Sequence, residues 1–157
     1  MKSLCERLLV PIDGSETSLI VAHHAVEIAR QYASQLTFLY VVDESVRDLM
    51  ARLARRPAAE VQREMEETGW RTLHHLSSVA QKEGVAAEQV LRIGMVHAMV
   101  VAEAEARRAT LVIVGWPIEH ELRGLYESRL VRQIISDSCC PVLVLKPESD
   151  QHHPPLM

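Results

Sequence analysis

Short, nearly continuous apolar runs recur along the chain. They alternate with longer stretches in which apolar residues return every three or four positions. The runs are RLLVPID, QLTFLYVVDE, EQVLRIG, ATLVIVG and CPVLVLKP. Continuous apolar runs are typical of parallel strands that are covered on both faces. They predict five strands, over residues 8–12, 36–42, 89–93, 111–114 and 142–145.

The segments between these runs show helical spacing. In the first, Leu19, Ala22, Val26 and Ala29 form one apolar face after Ser15, a residue type that favours helix N-caps. The alternation of strands and helices, with right-handed crossovers, predicts an open, doubly wound α/β sheet. Helices are expected over residues 15–32, 58–82, 97–107 and 129–136, and residues 46–57 are expected to form a surface loop or a short extra helix.

Composition indicates one soluble domain. The 157 residues are 48% hydrophobic and 24% charged, with a net charge of -4 and no basic stripe of the kind that binds nucleic acid. No apolar run approaches the roughly 20 residues that span a bilayer. Three cysteines, two of them adjacent, form no paired disulfide framework. We therefore expect a cytoplasmic protein that binds neither nucleic acid nor membrane, with residues 1–147 as one domain and residues 148–157 as a mobile tail.

Four segments of the chain resemble the universal stress protein family: LLVPIDGSETS, LTFLYVVDE, LRIGMVHAMVVAEAEARRATLVIVGW and CCPVLVLKP. The first and last are the most specific, because they stand at the correct ends of one small domain. The resemblance implies an adenine nucleotide alpha hydrolase-like fold, a single-domain, five-stranded parallel sheet in the order 3-2-1-4-5 with helices on both faces. In that order the winding reverses between the first and fourth strands, and a ligand crevice opens there, outside the carboxyl ends of the strands.

The resemblance also implies the adenosine part of the crevice. In nucleotide-binding members, the residues that match Pro11, Asp13 and Val41 hold this part of the ligand. A carboxylate such as Asp13 can accept hydrogen bonds from ribose hydroxyls or from an adenine amino group. Asp13 and Ser15 can equally shape a strand-to-helix turn and cap the helix without any ligand. Both interpretations stay open.

The segment that would hold phosphates departs from the family pattern. ATP-binding members carry Gly, two residues, Gly, about nine residues, then Gly and Ser or Thr, and the glycines let backbone N–H groups close around phosphates. Gly115 matches the first position, whereas Ile118, Ser128 and Arg129 occupy the others. Pro117 has no N–H to donate, although Arg129 could pair with an anion. Gly115 and Arg129 complete the candidate ligand set, and ATP is expected to bind weakly or not at all.

Three functions remain open at this point. The first is a non-catalytic stress-response protein that acts as a homodimer, with its crevice empty or weakly occupied. The second is a signalling module that binds ATP or AMP, and the third is a nucleotide hydrolase or transferase. No catalytic triad, zinc cluster or Gly-rich loop followed by Lys is recognisable, so no catalytic or metal residue is assigned and no cofactor is certain. The homodimer is expected to form through the last strand, beginning at Pro141 and ending at Leu145, which the family's strand order places on an edge.

Overall fold

A computed structural model shows five strands and five helices in the residues that it describes, and these alternate except that two helices follow the second strand. It describes residues 3–117 and 122–147, and the side chains of all of these except 122–127. Each predicted strand is present and is at most two residues longer at either end. The strands are β1 (Arg7–Ile12), β2 (Gln35–Asp43), β3 (Ala87–Gly94), β4 (Leu111–Gly115) and β5 (Val142–Leu145). The helices are α1 (Glu16–Tyr32), α2 (Glu44–Ala54), α3 (Ala58–Lys82), α4 (Val96–Ala106) and α5 (Leu122–Asp137).

All five strands are parallel and form one sheet in the order β3-β2-β1-β4-β5, which confirms the predicted topology. The central strand β1 pairs with β2 on one side, where Leu8 faces Leu36, and with β4 on the other, where Leu8 faces Leu111. The direction of winding reverses between β1 and β4. The carboxyl ends of these two strands therefore mark the place where this type of sheet binds ligands.

Two hydrophobic cores cover the two faces of the sheet. On one face, α1 and α3 contribute buried residues such as Val21, Val26, Leu73 and Leu76. On the other face, α4 and α5 contribute Val100, Ala104, Val131 and Ile134. Burial on both faces explains why the strand sequences are continuously apolar rather than alternating.

Two elements differ from their simplest sequence interpretation. The segment left open as loop or short helix is the helix α2, with Asp43 as its N-cap and Arg55 ending it in the left-handed conformation at φ 51°. The helix α5 begins at Leu122 rather than at residue 129. It runs through Gly124, because one glycine costs a helix only about 1 kcal/mol and does not end it.

In residues 3–117 and 122–147, no helix is both long enough and apolar enough to cross a membrane. The tail predicted over residues 148–157 lies outside the described residues, as does Ile118 of the phosphate segment.

Candidate functional site

A cavity of about 540 Å³ opens where the winding of the sheet reverses. Its walls include Pro11, Asp13, Val41 and Gly115, so the structure brings together four of the five site residues expected from the sequence. The volume falls within the range of roughly 300–1,000 Å³ that is usual for small-molecule sites. We call this cavity the crevice.

The turn from β1 into α1 gives Asp13 a structural role. Its Oδ1 accepts a hydrogen bond from the Ser15 N–H at 2.8 Å, and Gly14 takes a φ of 82°, which favours glycine. The Ser15 hydroxyl oxygen then accepts from the Ser18 N–H at 3.2 Å and caps α1. Asp13 is nevertheless exposed in the crevice wall, and its Oδ2 has no hydrogen-bond partner within the described chain. The two interpretations of this residue are therefore compatible, because the turn uses only one of the two carboxylate oxygens of a residue that lines the cavity.

Gly115 is required by close packing. A Cβ at this position would lie 2.6 Å from Thr17 Cγ2 and 2.8 Å from Val21 Cγ2, both on α1. The glycine therefore lets the first turns of α1 approach the end of β4. Its presence is explained without any phosphate.

The backbone after Gly115 offers few donors to a ligand. The Trp116 N–H donates to the Leu145 carbonyl at 2.8 Å, and the buried Pro117 has no N–H. A phosphate nest needs successive free N–H groups. These two successive positions supply none.

Arg129 is not brought into the crevice wall. It is an exposed residue of α5, and this helix turns Leu130, Val131 and Ile134 towards the cavity instead. The wall formed by the described part of α5 is therefore apolar.

Several crevice residues were missed by sequence reasoning. Asp43 is buried, lines the crevice and caps α2 by accepting from the Ser45 N–H at 2.9 Å. The position of this acidic residue at the end of the second strand could have identified it from the sequence. Val46 of α2 and Met65 of α3 also line the crevice, and no local pattern marks them. Their position depends on how α2 and α3 pack over the sheet.

A second glycine positions the α3 wall. A Cβ at Gly69 would lie 2.6 Å from Tyr40 Cδ1 and 2.8 Å from Leu91 Cδ1. This glycine lets α3 approach β2 and β3 closely. Because Tyr40 lines the crevice, the distance between α3 and the sheet also sets the shape of the site.

The electrostatics of the crevice are acidic. Its lining contains the carboxylates of Asp13 and Asp43, and no Lys, Arg or His of the described residues belongs to it. Within residues 3–117 and 122–147, no group of three or more metal-ligating side chains forms a metal site. The crevice is therefore suited to a largely apolar ligand with a few hydrogen-bond donors.

The adjacent cysteines lie outside the crevice. Cys139 is exposed, whereas Cys140 is half-buried and packs against the core under α4 and α5. Burial raises the pKa of the Cys140 thiol above its ordinary value, which disfavours the reactive thiolate. A packing role for Cys140 follows.

A doubly wound parallel sheet with a crevice at its reversal point defines an α/β protein of the open-sheet, ligand-binding type. The sequence model of the universal stress protein family matches residues 5–146, and the chain belongs to this family. One relative, universal stress protein MJ0531 of Methanocaldococcus jannaschii, is 27% identical over 92% of this chain and 84% of its own length. YxiE of Bacillus subtilis is 25% identical over 89% of this chain and 98% of its own.

Solved structures show the same fold. MJ0577 of Methanocaldococcus jannaschii has a TM-score of 0.79 at 21% identity and covers 94% of this chain and 99% of its own. A universal stress protein solved in complex with cAMP has a TM-score of 0.69 at 18% identity, over 93% of this chain and 100% of its own. The universal stress protein from Archaeoglobus fulgidus in complex with dAMP has a TM-score of 0.63 at 19% identity, over 90% of this chain and 98% of its own.

Proposed function

We propose that this chain is a non-catalytic stress-response protein whose crevice binds an adenine nucleoside or its monophosphate and binds ATP only weakly. The observation that carries the proposal is the charge of the crevice. Two carboxylates and no cationic side chain line its described part, which disfavours a triphosphate and tolerates a nucleoside. Such a protein acts by changing conformation or partners when the ligand binds, and it needs no catalytic residues.

The adenosine half of the ligand has a suitable environment. Pro11 and Val41 provide apolar walls, and the free Oδ2 of Asp13 can accept from a ribose hydroxyl or an adenine amino group. The family relatives solved with cAMP and dAMP support an adenine monophosphate as the kind of ligand.

The phosphate half lacks the donors that ATP needs. The Trp116 N–H is already bonded, Pro117 has none, and Arg129 is outside the crevice wall. Each missing charge-assisted contact to phosphate costs roughly 1.5–3 kcal/mol, so two of them weaken binding by about a hundredfold or more.

Calorimetric titration with adenosine, AMP, cAMP and ATP tests this proposal. We expect AMP or cAMP to bind at least about tenfold more tightly than ATP. Asp13→Ala should weaken all four ligands. Asp13→Asn is the matched control for the turn, because its amide oxygen can still accept from the Ser15 N–H. ATP that copurifies with the protein, or that binds more tightly than AMP, would overturn the proposal.

Two further measurements separate the alternatives. The triple variant Ile118→Gly, Ser128→Gly, Arg129→Ser restores the family pattern and should gain affinity for ATP if the altered segment is the obstacle. Incubation of the unmodified protein with ATP and magnesium should release phosphate no faster than buffer. Phosphate release that disappears in Asp13→Ala would favour the hydrolase instead.

The proposal has two further parts. The protein is a homodimer that forms through β5, and it is located in the cytoplasm. β5 is an edge strand whose four residues, all Val or Leu, are half-buried. The opposite edge, β3, carries Glu88 and Arg92, which join Glu103 and Arg107 in a chain of ion pairs. Charged edge strands discourage pairing, so β5 is the better candidate for association. Three free cysteines agree with a reducing compartment.

A further inference from the structure

The helix α2 turns its apolar stripe towards solvent. Val46, Leu49, Met50 and Leu53 occupy positions i, i+3, i+4 and i+7, and their exposed fractions range from 40% to 77%. Four of the ten large apolar side chains that are exposed in the described chain therefore lie on one stripe of an 11-residue helix. Exposed apolar residues scattered singly need no explanation, but a contiguous stripe indicates an interaction surface.

The side of α2 that contacts the protein is small and polar. Ala51 is the one buried residue of this helix. The Arg47 guanidinium donates to Gln62 Oε1 of α3 at 2.7 Å, and Arg56, just after α2, pairs with Glu60 at 2.6 Å and with Glu64. A surface helix normally buries its apolar face and exposes its polar one. In α2 the arrangement is reversed.

Two more apolar side chains extend the exposed surface. Ile93 and Met95 are exposed at the carboxyl end of β3. Gly94, between them, pairs with Asp43, the residue directly before α2. These two exposed apolar residues therefore lie close in the fold to the start of α2.

We propose that the stripe of α2 is a docking surface for an acidic, amphipathic helix of a partner protein. Arg52 lies on one flank of the stripe, three residues along the helix from Leu49. Arg52 is exposed and has no ion-pair partner in the part of the chain that the structure describes. A partner helix with glutamate or aspartate beside its apolar residues satisfies both the stripe and this free cation.

The same charges disfavour two other occupants. A second copy of α2 would place no carboxylate next to Arg52. The acidic residues of α2, Glu44 and Asp48, lie about 150° or more around the helix from the centre of the stripe. An anionic membrane would repel a chain with a net charge of -4, and four apolar side chains over two turns give little to insert.

The docking surface shares residues with the crevice. Asp43 caps α2 and lines the crevice, and Val46 lines the crevice and begins the stripe. A ligand that contacts these two residues shifts the first turn of α2. Under the proposed function, a nucleotide in the crevice therefore changes the affinity of the partner, and this coupling rests on that function.

A synthetic peptide tests the docking surface directly. The probe is a helical peptide with leucines at i, i+3, i+4 and i+7 and glutamates on both flanks. Two control peptides are used. One has the same composition with the leucine positions scrambled, and the other has lysines in place of the glutamates. Fluorescence anisotropy should show binding of the acidic peptide alone. Leu49→Gln with Leu53→Gln should lower its affinity at least about tenfold, since both variants replace an apolar contact by a polar side chain that loses water on binding.

Charge reversal tests the flank. Arg52→Glu should weaken the acidic peptide and strengthen the lysine peptide. Gln31→Glu, at an exposed position of α1, is the control for added negative charge and should change neither. All the substituted side chains are exposed, so thermal melting should confirm unchanged folding.

Several results would overturn the docking surface. These are no binding of the acidic peptide, equal binding of the scrambled peptide, or binding that survives the double Gln variant. Binding to vesicles of phosphatidylserine and phosphatidylcholine that is lost in Leu53→Gln would assign the stripe to a membrane. Self-association that is lost in Leu53→Gln would assign it to a second copy.

Repeating the peptide titration with AMP present tests the coupling separately. Peptide binding in a protein that fails to bind AMP would leave the docking surface standing and refute the proposed crevice function. AMP binding without peptide binding would do the reverse. Equal peptide affinity with and without bound AMP would refute the coupling alone.

Discussion

Two glycines determine how closely helices approach the sheet beside the crevice. Gly115 lets α1 pack closely against the sheet, and Gly69 does the same for α3. In both cases an added Cβ would lie within 3 Å of side-chain carbon atoms. Sequence reasoning assigned Gly115 to a ligand-binding pattern because its position matched that pattern. The structure adds a packing reason that pattern matching cannot reveal, because Thr17 and Val21 are nearly 100 residues away in the sequence.

Gly115→Ala should destabilise the protein by about 1–3 kcal/mol, because the new methyl group overlaps Thr17 Cγ2 and Val21 Cγ2. Urea unfolding, with fluorescence as the probe, measures the change in midpoint. Thr17→Ser removes one of the two clashing carbons, so Thr17→Ser with Gly115→Ala should recover part of the loss relative to Thr17→Ser alone. An unchanged midpoint in Gly115→Ala would show that α1 moves away freely.

At the scale of elements, the strands and the two long helices could be predicted, because their apolar spacing is set by burial. The helix α3 has the predicted bounds, Ala58–Lys82. Residues 46–57 could not be decided, because the apolar residues of α2 do not pack into the core and four arginines and Pro57 interrupt the segment. For the same reason Val46 was not expected in the crevice. Its place follows from the capping by Asp43 and the polar contacts with α3.

Asp43→Ala should fray α2 and lower the free energy of unfolding by about 0.5–2 kcal/mol, because it removes the acceptor for the Ser45 and Val46 N–H groups. Hydrogen exchange followed by mass spectrometry should show faster exchange in residues 44–54 and little change in residues 58–82. Asp43→Asn keeps an acceptor oxygen and is the matched control. Uniformly faster exchange across both helices would instead mean that Asp43 supports the whole α2–α3 unit.

At the scale of the whole molecule, the sheet has one charged edge and one apolar edge. The order of strands and the candidate residues Pro11, Asp13, Val41 and Gly115 followed from family resemblance, and the rule that ligands bind at the reversal of winding explains why these residues meet. The exposed position of Arg129 could not be predicted, because the direction of a side chain on α5 depends on which face of that helix packs against the sheet. Association through β5 remains a prediction.

Val144→Lys should convert the proposed dimer into a monomer, because a charge within the strand opposes pairing of the edge. Sedimentation velocity at micromolar protein is the measurement, and the dissociation constant should rise at least about tenfold. Val144→Thr keeps the β-branched shape without charge and should remain dimeric. A monomeric unmodified protein, or a dimer that tolerates Val144→Lys, would rule out this interface.

The central strand of the sheet has a consequence for biosynthesis. β1 is synthesised first, but on one side it pairs with β4. Leu8 can therefore pair with Leu111 only after Leu111 has emerged from the ribosome. At about 5–20 residues per second, the roughly 70 residues between the end of β2 and the end of β4 occupy the ribosome for roughly 4–14 s. During that interval one side of β1, with Leu8 and Leu9, has no partner strand. The nascent chain therefore presents an unpaired apolar strand edge to chaperones until the half that closes the crevice has been made.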